Sequence, residues 1–125
     1  MNINLTEHNG LKLWLQALSE TIRSEGPDLT SRQWALLLRI YIKSPPHTVR
    51  GLAAALNVSK PVITRAVDSL SALGYAKRTR DETDKRNVLI QRTVKGAVFL
   101  ADFAAIMEKA NKEINRGDDT ASSAE

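Results

Sequence analysis

The chain has 125 residues, of which 42% are hydrophobic and 26% are charged, so it is long enough for one domain with a hydrophobic core. This composition lies near the globular average and argues against a collagen-like, coiled-coil or wholly disordered chain. The formal net charge of +4 is uneven: residues 59–92 carry eight Lys or Arg against four Asp or Glu, whereas residues 93–125 carry four against six. A local basic excess suits a polyanionic partner but does not identify one.

Several functions are disfavoured by what the sequence lacks. There is no cysteine, hence no disulfide and no thiolate zinc site, and neither His8 nor His47 has carboxylates around it at metal-ligand spacing. Neither a supported Ser/His/Asp set nor a glycine-rich phosphate loop is present, so we expect no enzyme, no metal and no cofactor. The apolar stretches are too short to span a bilayer and no signal peptide is evident, which favours a cytoplasmic protein without membrane contact.

The first predicted helix covers residues 9–25 and ends at Gly26-Pro27. Its apolar residues recur at positions i, i+3, i+4, i+7 and i+11, which is the spacing of one helix face. These residues are Leu11, Trp14, Leu15, Leu18 and Ile22. A second helix is predicted over residues 31–43, because Thr30 and Gln33 form a capping-box pattern at its start.

Two further helices follow, joined by a tight turn. The third runs from Val49 to about Asn57 and is short enough to need support from its neighbours. The fourth has Ser59 as its N-cap, runs to about Leu73 and stops at Gly74. One face of this fourth helix is apolar and the other is small, polar and partly basic, with Lys60, Pro61, Thr64, Arg65, Asp68 and Ser71.

The helical period stops after Gly74, and two short strands are predicted over residues 75–80 and 87–92, forming a hairpin with a charged tip. Thr93 caps a last long helix, whose apolar band is wider than one intramolecular contact requires and therefore indicates a partner helix. That band contains Phe99, Leu100, Phe103, Ile106, Met107, Ala110 and Ile114. The small, polar and acidic residues 117–125 are expected to form a disordered tail.

The third and fourth helices, with the tight turn at residues 57–59, have the helix-turn-helix pattern. Such a second helix enters the DNA major groove, which requires short side chains for close approach and hydrogen-bonding side chains for base edges. Ser59, Thr64 and Arg65 supply these groups, and Lys60 with the free amides of the helix start suits phosphate. The basic hairpin beside this helix is suited to the DNA backbone or to the adjacent minor groove, where an arginine is favoured.

The stretch from about Ser31 to Leu100 resembles the winged-helix core of the MarR family of bacterial transcription regulators. Four motifs in this order carry the resemblance: residues 52–65 for the helix-turn-helix, Leu70-x-x-Leu73-Gly74-Tyr75, Arg80-Asp81-x-x-Asp84-Lys85-Arg86, and Thr93-x-x-Gly96. The predicted fold is mainly α (α+β), a winged helix-turn-helix with a two-stranded β wing and flanking N- and C-terminal dimerisation helices. Within a single domain over residues 1–116, we expect dimerisation or support helices at 9–43 and 93–116, and the helix-turn-helix with its wing at 48–92.

The resemblance implies a homodimer whose terminal helices interlock and whose two reading helices bind a pseudo-palindromic operator in double-stranded DNA. It also implies that Arg86, with Lys85 beside it, enters the minor groove while Asp84 holds the wing tip in shape, and we add Arg80 to the predicted wing set. The predicted recognition residues are Ser59, Lys60, Pro61, Thr64 and Arg65. The predicted dimer contacts are Leu11, Trp14, Leu15, Leu18, Phe99, Phe103, Ile106, Met107, Ala110 and Ile114.

Family members often repress their targets and release DNA when a small molecule binds, so we expect a repressor and leave a small-molecule effector open. The position before Thr93 is commonly apolar in the family's final strand, whereas this chain has Arg92. We therefore expect that strand to be more exposed or to contact a charged partner.

Other interpretations of the same residues stay open. The wing charges are also compatible with a solvated turn that has no partner. Thr64 and Arg65 are likewise compatible with the solvent-exposed face of an ordinary surface helix. We expect Trp14 and Trp34 to be packing residues rather than base-stacking platforms. Arg32 and Arg50 are expected to be surface charges, and Lys77 and Arg78 either contact the DNA backbone or are simply exposed. The alternatives for the whole protein are a winged-helix protein-interaction module and a nonspecific or architectural DNA binder.

Overall fold

The structure is a computed structural model that describes the backbone of residues 6–124 and the side chains of residues 6–116. The described part of the chain forms five helices and two strands, each close to its predicted position. In chain order they are α1 (Glu7–Arg23), α2 (Ser31–Ile42), α3 (Val49–Leu56), α4 (Lys60–Ala72), β1 (Ala76–Arg80), β2 (Val88–Arg92) and α5 (Val94–Ala124).

The end of α5 differs from the sequence-based expectation. Residues 117–125 are expected to form a disordered polar tail, whereas the helical backbone of α5 continues to Ala124. Lengthening an existing helix adds about one hydrogen bond for each residue fixed and needs no new nucleus, which gives this extension a physical reason. Glu125 lies outside the described residues.

By its internal contacts the chain divides into two compact units. One consists of residues Leu29–Phe99, and the other consists of residues 1–28 together with 100–125. The first unit contains α2, α3, α4, both strands and the start of α5, and it is the winged helix-turn-helix. The expectation of a single domain over residues 1–116 stays a prediction.

The core of the winged helix-turn-helix is built from the apolar faces of its helices. Its fully buried side chains are Leu36, Leu37, Ile40, Leu52, Ile63, Val67 and Leu70. The predicted capping box is present, because Thr30 and Gln33 each bond the other's backbone amide. At the turn of the motif, Asn57 ends α3 in the left-handed conformation, with a φ of 55°, and its amide donates to α3 carbonyls.

The wing is an antiparallel hairpin attached at its base. Ala76 lies opposite Arg92 and Arg78 lies opposite Ile90 in the register of β1 and β2. The Ile90 amide donates to the carbonyl of His47 at 2.8 Å, and Thr48 forms an isolated bridge with Leu89. The segment that leads into α3 therefore holds the second strand of the wing.

The C-terminal end of the wing is tied to α2 through Tyr41. The Tyr41 hydroxyl donates to the carbonyl of Tyr75 at 2.8 Å and accepts the Thr93 amide at 2.9 Å. The Thr93 hydroxyl donates to the carbonyl of Gly74 at 2.7 Å and accepts the Gly96 amide at 2.9 Å, which caps the start of α5 as predicted. Gly74 has a φ of +81° and ends the turn after α4.

Three aromatic rings fill the space next to this junction. Phe99 of α5 stacks on Tyr75 and on Trp34, with ring centroids 4.4 and 5.6 Å apart respectively. Burial raises the pKa of the Tyr75 hydroxyl, because the charged phenolate is poorly solvated there. Trp34 is thus a packing residue, as expected from its apolar stripe.

Arg92, the residue that departs from the family pattern, is bound to the end of α2. Its Nε donates to the carbonyl of Ile40 at 2.9 Å and its Nη2 donates to the carbonyl of Lys43 at 3.0 Å. The last carbonyls of a helix have no partner within the helix and carry partial negative charge, so a guanidinium is well suited to them. Arg92 therefore contacts a helix terminus rather than a charged partner.

The other unit contains α1, which carries two different apolar faces. Leu13 packs with Ala110 and Ile114 of α5 in a small buried cluster, and Met107 contacts that cluster. At 100° per residue, the stripe predicted from the sequence lies on nearly the opposite side of α1. That stripe is exposed, with relative accessibilities of 69% for Leu11, 56% for Trp14, 65% for Leu15, 40% for Leu18 and 76% for Ile22.

Candidate nucleic-acid interface

The face of α4 that is predicted to meet DNA is exposed. Ser59, Lys60, Pro61 and Arg65 are exposed, and Thr64 is half-buried. The opposite face of the same helix is buried, through Ile63, Ala66, Val67 and Leu70. The structure thus brings all five predicted recognition residues together, at the N-cap and on the first two turns of α4.

Ser59 occupies the N-cap position but does not act as a side-chain cap. Its backbone is extended, its carbonyl accepts the Val62 amide at 3.1 Å, and its side chain makes no capping hydrogen bond. Pro61 lies in the first turn, where a missing amide hydrogen removes no helical bond. The Ile63 amide also donates to the Ser59 carbonyl, at 3.3 Å, so the helix start offers an approaching group the Ser59 hydroxyl rather than a row of free amides.

The wing tip is shaped by Asp81 as well as by Asp84. The Asp81 carboxylate accepts the amides of Thr83 and Asp84 at 3.0 and 3.1 Å. The Asn87 amide donates to the carbonyl of Asp84 at 3.0 Å, which closes the turn. From the sequence alone, Asp81 is only one of several charges at the wing tip. Aspartate at the first position of a turn nevertheless favours that turn, because its carboxylate accepts backbone amides further along the chain.

Asp84 holds Arg86 through a two-point ion pair. Arg86 Nε donates to Asp84 Oδ1 and Arg86 Nη2 donates to Asp84 Oδ2, each at 3.0 Å. The Arg86 backbone amide also donates to Oδ1 at 3.1 Å. The guanidinium is therefore oriented on the wing, although 80% of the side chain stays accessible.

The pKa of Asp84 is lowered by these contacts. The side-chain hydrogen bonds from Arg86 are the largest cause, followed by the Arg86 backbone amide, and the positive charge of Arg50 adds to the effect. The same pair raises the pKa of Arg86. Arg50 is an exposed cation at the start of α3.

Arg80 and Lys85 complete the predicted wing set, and both are exposed. Arg80 is the last residue of β1 and pairs with Val88, while Lys85 lies in the tip between Asp84 and Arg86. The direct contact within the predicted wing set thus joins Asp84 to Arg86, and the other two cations lie beside that pair.

One contact between the wing and α4 was not foreseen. Arg78 of β1 reaches α4, where its Nη2 lies 2.5 Å from Asp68 Oδ1 and 3.1 Å from the carbonyl oxygen of Thr64. The sequence left Arg78 between backbone contact and plain exposure, and it gave Asp68 no role. Arg78 and Asp68 meet because of the direction in which β1 runs after Gly74. Residue spacing in the sequence does not determine that direction.

The predicted dimer contacts fall into different environments. The α1 residues Leu11, Trp14, Leu15 and Leu18 are exposed, so Trp14 is not core packing within the chain. Ala110 and Ile114 are buried against Leu13, and Phe99 is in the aromatic stack described above. Phe103, Ile106 and Met107 are half-buried. The contact of these residues with a second copy stays a prediction.

Two further features of the described residues concern other functions. No group of three or more His, Cys, Asp or Glu side chains within residues 6–116 is placed to hold a metal ion. None of the helices, over the part of the chain that the structure describes, is long and apolar enough to cross a membrane.

The helix-turn-helix, the hairpin after it and the basic tip define a protein of the winged helix-turn-helix class. Residues 27–87 match the sequence model of the MarR family. The fold is similar to that of a transcriptional regulator, Tm0710, from Thermotoga maritima, with a TM-score of 0.71 and 26% identity over 88% of this chain and 73% of that one.

Two more solved structures have the same fold. A MarR-family transcriptional regulator from Rhodococcus sp. RHA1 is 26% identical, with a TM-score of 0.61 over 92% of this chain and 84% of that one. A mutant of MepR from S. aureus, bound to an oligodeoxyribonucleotide, is 18% identical, with a TM-score of 0.75 over 92% and 85%. The segment of residues 27–87, just under half of the chain, is therefore similar to the MarR family, and the chain has the winged helix-turn-helix fold of these transcription regulators.

Proposed function

We propose that this protein binds a specific operator in double-stranded DNA as a homodimer and thereby represses transcription. The observation that carries the proposal is the exposed polar face of α4, with Lys60, Thr64 and Arg65 outward, beside an arginine already oriented at the wing tip. An α-helix fits the major groove, where hydrogen-bonding side chains distinguish base pairs. The related MepR structure contains a bound oligodeoxyribonucleotide, which supports DNA as the ligand.

Each predicted contact has a distinct task in this proposal. Thr64 and Arg65 read base edges, Lys60 binds phosphate, and Ser59 and Pro61 allow close approach. Arg86 enters the minor groove in the orientation that Asp84 gives it, and Arg80 and Lys85 add positive charge along the backbone. The contacts to phosphate supply most of the affinity and make it fall steeply with salt.

The exposed stripe on α1 supports the homodimer. Five large apolar side chains in one row on a helix are unusual for a free surface and typical of a contact with another protein. A dimer with a two-fold axis presents two reading helices, so its operator has matching half-sites.

The first experiment is selection of bound sequences from a pool of random duplexes, followed by sequencing, at moderate salt. We expect a two-fold symmetric motif that is lost in the Arg65→Ala variant, because Arg65 reads bases. Lys109→Ala, which removes a cation from an exposed position of α5, is the matched control and should select the same motif. The selected operator placed at a promoter then tests repression by transcription in vitro.

The other outcomes identify the alternatives. Salt-sensitive binding without an enriched motif indicates a nonspecific or architectural DNA binder. The absence of binding indicates a protein-interaction module. Arg86→Ala should weaken binding to all sequences and reduce the slope of log affinity against log salt by about one, whereas Thr64→Ala should relax sequence preference.

A further inference from the structure

Arg78 joins the wing to the reading helix at two points one helical turn apart. Its Nη2 lies 2.5 Å from the carboxylate of Asp68 and 3.1 Å from the carbonyl oxygen of Thr64, and residues 64 and 68 occupy the same face of α4. The Asp68 side chain is 59% accessible and the Arg78 side chain 39%, so the ion pair lies at the surface of the winged helix-turn-helix.

The position of Arg78 in the hairpin makes this contact a second attachment of the wing. Arg78 lies opposite Ile90 in the register, and the Ile90 amide donates to the carbonyl of His47 just before α3. At the Arg78–Ile90 pair of the hairpin, β1 is therefore bound to α4, and β2 is bound to the residue that precedes the N-cap of α3. These attachments hold the base of the wing to both helices of the motif.

We infer that Arg78 and Asp68 are positioning residues for DNA recognition, which fix the wing relative to the reading helix. The inference rests on the proposed function. In the proposed complex, Thr64 and Arg65 contact the major groove and Arg86 enters the minor groove. Both contacts can form at the same time only if the distance between α4 and the wing is fixed. Binding groups usually have to be held within about 0.5 Å of their productive positions.

A role for Arg78 as a phosphate ligand is the competing explanation, and the geometry is unfavourable to it. Its Nη2 is engaged by a carboxylate and a helix carbonyl, and Asp68 neutralises the guanidinium charge at close range. A phosphate ligand has to be free to exchange counterions for DNA, which is what produces the salt dependence of binding.

The test compares Asp68→Asn with the unchanged protein, using the operator obtained by selection and a shuffled duplex of equal length. Asp68→Asn removes a negative charge, so electrostatics alone predicts tighter binding to any DNA. A positioning role predicts instead that the ratio of operator to shuffled affinity falls by roughly fivefold to tenfold, in the range observed for groups within one ion-pair network. Affinity for the shuffled duplex should stay the same or rise.

Arg78→Gln and the double variant complete the measurement. We expect Arg78→Gln to lower the same ratio with little change in the slope of log affinity against log salt, and the double variant to be no worse than the poorer single variant. Lys77→Gln is the matched control, since it removes the same charge from the neighbouring, exposed position of β1 and should leave the ratio unchanged. Melting curves of all four variants ensure that the folded proteins are compared.

The outcomes separate this inference from the proposed function. If the unchanged protein shows no preference for any sequence, the proposed function fails. If it has an operator and Asp68→Asn keeps the full ratio, the positioning role is wrong. A salt slope that falls by about one in Arg78→Gln identifies Arg78 as a phosphate ligand and also overturns the inference.

Discussion

Arg86 is oriented on the wing before any partner is bound. A free arginine side chain has many rotamers, and fixing it at an interface costs about 0.5–1.5 kcal/mol. The two hydrogen bonds from Arg86 to Asp84 restrict those rotamers in the unbound protein. The lowered pKa of Asp84 keeps the carboxylate ionised, so the orientation is present near neutral pH. The orientation of Arg86 is lost only in acid, when the pH falls through the lowered pKa of Asp84 and the carboxylate becomes protonated.

We expect the carboxyl group of Asp84 to titrate at a lower pH than in the Arg86→Gln variant. Arg86 supplies the largest contributions to the lowered pKa, so its removal should return the pKa of Asp84 toward that of a free aspartate. Carboxyl carbon chemical shifts measured against pH report both midpoints. The neighbouring substitution Lys85→Gln serves as the control. Equal midpoints in the Arg86→Gln and unchanged proteins would show that the ion pair does not form in solution.

The Arg92 side chain should stabilise the fold although it is near the surface. Its bonds to the carbonyls of Ile40 and Lys43 satisfy groups at the end of α2 that the helix leaves unpaired. We expect Arg92→Met to lower the free energy of unfolding by about 1–2 kcal/mol, measured by urea denaturation. Arg32→Met at the start of α2 is the control, since a cation there opposes the helix dipole. An equal loss in both variants would contradict the capping role.

Among the elements, α1 shows how far periodicity predicts structure. The apolar spacing predicted a helix within two residues of Glu7–Arg23, but its stripe is the exposed face. The face that packs inside the unit holds Leu13, Ala17 and the polar Asn9, which are too few and too mixed to form an evident stripe. Periodicity identifies the larger apolar face of a helix and does not say whether that face meets the same chain or another one.

The wing and α4 show the same limit in the candidate site. Residue type and spacing predicted the exposed face of α4. The resemblance to the MarR family implied that Asp84 holds the wing tip in shape, but it did not give the ion pair of Asp84 with Arg86 that the structure contains. The contact of Arg78 with Asp68 was missed, because it depends on which way β1 leaves the end of α4. Arg92 was noticed as unusual, yet its partners are backbone carbonyls that no side-chain pattern reveals.

Gly96 is required where α5 begins beside the wing. A Cβ atom at this position meets the Tyr41 hydroxyl and the Tyr75 carbonyl, two atoms that are hydrogen-bonded to each other. We expect Gly96→Ala to reduce the free energy of unfolding by about 1–3 kcal/mol, as overpacking does, despite the better helix propensity of alanine. The urea midpoint measures this change.

Gly10→Ala in α1 provides the matched control for Gly96→Ala. No atom lies within 4 Å of a Cβ built at Gly10, so alanine should raise the free energy of unfolding there, by about 0.5–1 kcal/mol. Opposite signs at the two glycines support the close contact at Gly96. A gain in stability at both positions would show that Tyr41 moves aside freely.

For the whole molecule, the two surfaces on which the proposal depends lie in different units. The reading face and the wing belong to Leu29–Phe99, while the α1 stripe belongs to the unit of residues 1–28 and 100–125. A substitution that removes dimerisation therefore does not touch a residue proposed to contact DNA. Operator binding by a monomer should be weak, because one copy binds only one half-site. It lacks the higher affinity that a dimer obtains by binding two half-sites at once.

We expect Leu15→Glu to convert the proposed dimer into a monomer. Leu15 is 65% accessible in the single chain and lies in the middle of the α1 stripe, so a two-fold interface there would bury two like charges in an apolar contact. The dissociation constant of the dimer should rise at least about a hundredfold, which corresponds to roughly 3 kcal/mol. Gln16→Glu adds the same charge at the next position of α1, outside the stripe and half-buried, and should remain dimeric.

Sedimentation velocity over a concentration series distinguishes a chain of 13.8 kDa from twice that mass. The monomeric variant should also lose most of its affinity for a two-half-site operator while keeping its affinity for an isolated half-site, because α4 and the wing are unchanged. A Leu15→Glu protein that stays dimeric at the same concentrations as Gln16→Glu would exclude the α1 stripe from the dimer contact. The apolar band of α5, with Phe103, Ile106 and Met107, would then be the next face to substitute.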